Sequence, residues 1–162
     1  MTQLNSTYLF DHSDWSLIQI TGKDCKSFLH SFCTNDVNSL AAGQVREAFI
    51  PDIKGRILGH VFVLAFEDSL LLLATPGTSQ LIVPHLTKYL LGVDAQVVDQ
   101  TRQGRILCLV GDQAHQTLGL ATDLDLNEHQ LVKVNQQDTT AVRLDVTNSP
   151  CYFMIGSMAI NA

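Results

Sequence analysis

Two apolar runs, Ile57 to Phe66 and Leu70 to Ala74, are separated only by Glu67, Asp68 and Ser69. A short polar break of this kind predicts a tight turn between antiparallel strands. Along Val61 to Leu64 and Leu70 to Leu73, odd and even positions are equally apolar. Strands with that pattern cannot leave one face in water, so the hairpin is expected to lie centrally in a sheet covered on both sides. Neither run approaches the roughly 18 residues a membrane helix requires, and no membrane partner is expected.

Other elements can be placed around this hairpin. Trp15 to Ile20 reads as a short strand that stops at Thr21-Gly22. A helix is expected next, with Asp24 as N-cap and one apolar stripe made by Cys25, Phe28, Leu29, Phe32 and Cys33. Thr34-Asn35-Asp36 closes it, with Asp36 bonding local backbone. Gln44 to Pro51 is expected to be extended, Asp52 to Gly55 to turn, and Arg56 to Phe66 to pair back, which makes two successive hairpins. Pro76-Gly77 leads to a second helix whose stripe is Leu81, Ile82, Leu86, Tyr89 and Leu90. Pro84 predicts a kink or a late start near itself, because proline lacks the amide a helix interior uses. Strands are expected at Asp94 to Asp99, Arg105 to Val110, Leu131 to Asn135, Thr140 to Asp145 and Tyr152 to Ile155. A short helix should contain Ala114 and Leu118, and a helix or turn should span Asp123 to Glu128. This order belongs to an α+β class with mainly antiparallel sheets and packed helices. Nothing resembling a linker divides residues 1–162, so one domain is expected.

Composition narrows the function classes. Hydrophobic residues make up 46% of the 162 and charged residues 16%, which fits a packed core rather than a disordered chain. A net charge of −6 argues against a general grip on nucleic acid. Most of the excess acid lies after residue 60, so Lys23, Lys26, Arg46, Lys54 and Arg56 are candidates for a local cationic surface that suits a small anion. Met1 to Trp15 has neither the charge nor the apolar run of a targeting segment. Cys25, Cys33, Cys108 and Cys151 show no C-x-x-C spacing and no nearby zinc-finger histidines, so no metal site is expected. Three of the four sit in apolar patterns, which predicts buried thiols in a reducing, cytoplasmic setting. Phosphate-loop, dinucleotide, serine-hydrolase and zinc-protease motifs are absent.

The succession from Trp15 to Asp24, then Phe28-Leu29, Thr34-Asn35-Asp36-Val37, Leu40, Gly43 and Lys54-Gly55-Arg56-Ile57-Leu58 resembles the N-terminal part of the YgfZ-type folate-binding proteins. These are relatives of the glycine-cleavage aminomethyltransferase, or T-protein. The similarity continues through Leu86 to Leu90 and Arg105 to Leu118. It implies a tetrahydrofolate-binding fold and, for the YgfZ-type branch, a role in iron–sulfur cluster assembly or repair, with iron–sulfur proteins as clients. Two other readings stand beside it: a remnant or interaction domain of this fold that has lost folate, and an aminomethyltransferase-like folate enzyme.

The departures from the family patterns leave the question of catalysis open and no catalytic residue assigned. Nothing matches the Lys-Gly-Cys-aromatic-x-Gly-Gln-Glu motif of the YgfZ-type branch. Leu58-Gly59-His60 stands where the T-protein branch carries an essential acid, and Val146 to Pro150 replaces its Tyr-Thr-Gly-Glu-Asp-Gly signature. For the folate itself, the candidates are Lys54 and Arg56, two cations flanking Gly55 that suit the glutamate carboxylates. His60, beside Gly59, and Arg143, in an otherwise apolar strand, complete the set. Relatives of this kind extend further, so the chain is either a short homologue or a fragment. Loss of a covering segment would expose Thr140 to Asp145 and Tyr152 to Ile160, and a homodimer through those strands is expected.

Overall fold

The doubly apolar hairpin lies inside a five-stranded antiparallel sheet. In the computed structural model, which describes residues 7–120, 124–134, 137–144, 146 and 148–156, the chain divides into two compact units. Asp14–Arg102 forms the first, and Met1–Ser13 with Gln103–Asn161 forms the second.

In the first unit, strand β2 (Ser16–Thr21) leads to helix α1 (Cys25–His30), and β3 (Val45–Pro51), β4 (Ile57–Ala65) and β5 (Ser69–Ala74) follow as two hairpins. Helix α2 (Ser79–Thr87) and strand β6 (Gln96–Asp99) complete it. The sheet order is β3-β4-β5-β2-β6, with every pairing antiparallel. The residues on one face, among them Ile18, Ile20, Val61, Val63, Leu70 and Leu72, pack with Phe28, Leu29, Ile82 and Leu86 of the helices. Leu17, Leu64, Leu71 and Leu73 alternate onto the other face and are buried too, as the doubly apolar pattern predicts. Each such side chain contributes about 1.5–3 kcal/mol on burial.

Local chemistry departs from expectation at both helices. Asp24 precedes α1, yet its side chain makes no cap; Oδ2 accepts from the Asp94 amide at 3.0 Å instead. Helix α2 runs from Ser79 to Thr87 with Pro84 inside it, so it does not start at the proline. The carbonyl that Pro84 leaves without an amide belongs to Gln80, an exposed residue, while Ile82 and Leu86 are fully buried against the sheet. Packing thus outweighs the proline penalty. Leu81, 55% exposed, and Tyr89, 39% exposed, are not part of the buried stripe, although the Tyr89 ring packs 4.8 Å from that of Phe32. The α2 N-terminus is tied down by β2, where buried Ser16 Oγ accepts from the Ser79 amide at 3.1 Å.

The second unit begins with β1 (Tyr8–Asp11), a strand the sequence pattern did not indicate, and continues with β7 (Ile106–Val110) and α3 (Ala114–Thr117). Strands β8 (His129–Val134), β9 (Gln137–Arg143) and β10 (Cys151–Gly156) follow. Of the helix or turn expected at 123–128, the described part forms a turn, closed by the Glu128 amide on the Asp125 carbonyl at 3.2 Å, and Asp123 lies outside the described residues. The order is β1-β7-β10-β9-β8, again antiparallel throughout. This corrects the expected exposure of the C-terminal strands. Strand β10 is central, bonded to β7 and β9 on its two sides, and Tyr152 and Phe153 are buried. The edge that motivated a homodimer is therefore absent among the described residues, while 157–160 and Asp145 lie outside them. No helix among the described residues is long and apolar enough to cross a membrane.

Candidate functional site

Lys54 and Arg56 belong to a turn organised by Asp52. Its carboxylate accepts from the amides of Lys54 and Arg56 at 2.8 and 2.9 Å and from Arg56 Nε at 2.8 Å, with Arg56 Nη2 2.7 Å away. Bonds from the Arg56 amide and guanidinium hold the Asp52 carboxyl at about 2, well under the usual carboxylate range. Gly55 takes φ +76°, a left-handed conformation that closes the turn. Arg56 is thus engaged by an internal anion although its side chain stays 74% exposed, and Lys54 is exposed too.

His60 lies four residues further along β4. Its Nε2 is 2.7 Å from Oε1 of Glu47 on β3, and the side chains are 27% and 59% exposed. The imidazole centroid is 5.0 Å from the Phe49 ring and 5.0 Å from the Phe62 ring. Register explains the grouping: His60 stands opposite Phe49, and Glu47 stands opposite Phe62. The four side chains therefore share one face of an edge hairpin. Here a carboxylate, an imidazole and an aromatic surface meet. Glu47 is the residue that sequence reading missed, and it places beside His60 the carboxylate lacking from Leu58-Gly59-His60.

The other expected cations are mostly occupied. Lys23 pairs with Asp94 at 3.4 Å, and Lys26 Nζ donates to the Leu40 carbonyl at 2.8 Å. A cavity of 330 Å³ beside them is also lined by Glu67 and Asp68, which corrects the expected cationic surface to a mixed one. Asp36 bonds local backbone as expected, accepting from Asn38 at 2.9 Å, and the bonds from Ser39 rank first in holding its carboxyl below the ordinary value. Cys25 packs in the core and Cys33 lies partly buried against it.

In the second unit, Arg143 Nη1 donates to the Leu124 carbonyl at 2.7 Å. Arg143 also lines a cavity of 380 Å³ together with Leu144, Asn148, Ser149 and Cys151. Residues that carry guanidinium, amide and hydroxyl groups thus surround one space of a size for a small polar group. Among the described residues, no group of three or more His, Cys, Asp or Glu is placed to hold a metal ion.

Comparison with known proteins gives these sites a context. Residues 2–150 match the GCVT N-terminal domain. An aminomethyltransferase of Clostridium botulinum is 27% identical over 129 residues, which are 79% of this chain and 35% of that protein. A putative chloroplastic transferase of Arabidopsis thaliana is 27% identical over 115 residues, 70% of this chain and 27% of that one. Among solved structures, the glycine cleavage system aminomethyltransferase T of Bartonella henselae superposes with a TM-score of 0.80 at 25% identity, covering 92% of this chain and 41% of that chain. The chain spans about a third of the length of the curated relatives it matches. With a match across nearly all of its length and a shared two-sheet fold, this chain belongs to the GCVT N-terminal domain family, that of the T-protein aminomethyltransferases.

Proposed function

We propose that this chain binds a reduced folate and presents it to aminomethyltransferase-type chemistry, with the Glu47–His60 pair as the centre of the site. The single observation that carries this reading is that pair, at 2.7 Å between the rings of Phe49 and Phe62. A pterin is flat and rich in N–H donors. Aromatic side chains offer it a stacking surface, and a carboxylate accepts from its ring and amino N–H groups. The same carboxylate attracts the ammonium of an aminomethyl donor, while the imidazole is a side chain able to accept or donate a proton.

Lys54 serves the other end of the ligand. Four residues of strand separate Arg56 from His60, about 13 Å at ~3.3 Å per residue, so the turn lies at a distance that suits the glutamate tail of a folate. Lys54 then meets a tail carboxylate as a point charge, and Arg56 contributes to the extent that it leaves Asp52. Arg143, in its own cavity, is a donor for a carboxylate or carbonyl group of a ligand.

The role in iron–sulfur cluster assembly or repair rests on the YgfZ-type sequence resemblance. The matched proteins named aminomethyltransferase favour the transfer reading over it.

Calorimetry with tetrahydrofolate tests the binding step. Association tighter than about 100 μM, near −5.5 kcal/mol, is the expected result, and no heat at millimolar folate overturns it. Formation of methylenetetrahydrofolate from an aminomethyl donor tests the chemistry. Binding without turnover would leave a folate-binding module that is not an aminomethyltransferase.

A further inference from the structure

Cys108 and Cys151 stand on one face of the second unit's sheet, diagonally across β7 and β10. Register places Cys151 opposite Val110 and Phe153 opposite Cys108. The two Sγ atoms are 3.0 Å apart, about 1 Å more than the ~2.05 Å of a disulfide bond. Both residues are buried, at 3% and 1% exposure, and both are free thiols. A cross-strand diagonal is near the upper limit of what a disulfide spans, so the sulfurs reach each other through a small shear of β7 against β10.

Burial alone would make such a pair inert. Here Cys151 is also one of the residues around the 380 Å³ cavity that contains Arg143, Asn148 and Ser149, so a peroxide held there lies next to Cys151, and at 1% exposure its sulfur is reached only as the cavity wall opens. The thiols are not equivalent either. A hydrogen bond from the Cys108 S–H favours the Cys151 thiolate, while that neighbour and burial keep the Cys108 thiol well above its ordinary value.

We infer that Cys108 and Cys151 form a reversible redox site, closed to a disulfide by hydrogen peroxide that enters through the Arg143 cavity. The Cys151 thiolate attacks one peroxide oxygen and the O–O bond breaks. The departing hydroxide takes up a proton to become water, leaving a sulfenic acid on Cys151. The Cys108 sulfur then attacks the Cys151 sulfur, the S–S bond forms, and the hydroxyl leaves as a second water with the Cys108 proton. Two thiols lose two electrons and one peroxide becomes two waters. Because Leu144 donates its amide to the Cys151 carbonyl, the closed bond also stiffens the wall of the cavity.

The test uses the reduced full chain. After peroxide treatment it is denatured, alkylated and cleaved at Arg105, Lys133 and Arg143, which puts the two cysteines on separate peptides. Loss of two hydrogen masses, two of the four thiols protected, and a joined pair of peptides containing Cys108 and Cys151 are expected, all reversed by a thiol reductant. Cys108→Ser is expected to abolish the mass loss. Four alkylatable thiols after treatment would overturn the inference, and so would joining through Cys25 or Cys33. Partly buried Cys33 serves as the internal comparison, since a merely accessible thiol would gain oxygen instead of losing hydrogen. The measurement on the unsubstituted chain stands even if a variant folds poorly, and it does not depend on folate binding.

Discussion

Glu47 Oε1 and His60 Nε2 lie 2.7 Å apart although the two residues are not opposite each other in the ladder. Their strands are offset by two places, and the contact runs diagonally past the Phe49 ring. Such a diagonal pair needs long side chains on one face, which the hairpin supplies.

If the pair recognises the ligand through its charge, Glu47→Gln retains the shape and removes the anion. Tetrahydrofolate affinity is expected to fall about tenfold, or ~1.4 kcal/mol, by calorimetry. Phe49→Ala is expected to weaken binding by about as much through the lost stacking surface. Unchanged affinity in both variants would move the ligand away from this hairpin.

The Asp52 turn carries a pH signature of definite sign. The carboxyl titrates at about 2 in the folded chain, below the ~3.9 of an unfolded one. Its contribution is therefore fully present above about pH 4 and is lost as pH falls through about 2. Amide exchange at Lys54 and Arg56 is expected to lose protection over that interval. Asp52→Asn should remove the acid dependence there, and a variant that retains the native profile would show that other groups govern the turn.

The sheet is legible in the sequence because two-sided burial of Val61 to Leu64 and Leu70 to Leu73 leaves few alternatives. The site is less legible, for a physical reason that lies in one irregularity. Ile50 pairs with Gly59, but Pro51 pairs with Ile57, so β4 carries an extra residue at the turn end of the hairpin. Counting back from Asp52 to Gly55 without that bulge would set His60 opposite Ala48, on the core face and away from Glu47. Strand β10 illustrates a second limit. Tyr152 to Ile155 reads as an apolar segment without a cover, yet its place between β7 and β9 depends on long-range pairing that no local pattern encodes. Asp24 shows a third, because a residue suited to capping α1 bonds the backbone of Asp94, seventy positions away.

Ser16 provides a simple test of how α2 is anchored. Its hydroxyl is the partner of the buried Ser79 amide, and Thr78 gives no side-chain cap because its own hydroxyl donates to the Thr75 carbonyl at 2.7 Å. Ser16→Ala leaves that amide without an acceptor and is expected to cost about 1–3 kcal/mol. Urea unfolding with an unchanged slope and a lower midpoint would register it. A midpoint equal to the native one would mean that the amide finds another acceptor.

Gly59 separates two ways in which glycine is required. A Cβ there would lie 2.7 Å from Ile82 Cδ1 and 3.1 Å from Thr78 Cβ, so position 59 has to be bare for α2 to pack over β4. Ile82 is fully buried and has little room to turn aside, and Gly59→Ala is expected to destabilise by about 1–3 kcal/mol. Ile82→Val removes the offending methyl at a cost of ~0.5–1.5 kcal/mol on its own. Combined, the two substitutions should therefore cost less than the sum of their separate effects, since the smaller residue makes room for the new methyl. Gly22 offers the contrast: its φ is +105° and an added Cβ would meet the backbone carbonyl of Asp94, which no side-chain substitution can remove. Gly22→Ala is accordingly expected to remain fully destabilising beside Ile82→Val. Strictly additive costs for Gly59→Ala and Ile82→Val, measured by denaturant unfolding, would show that Ile82 is not the contact that keeps position 59 free of a side chain.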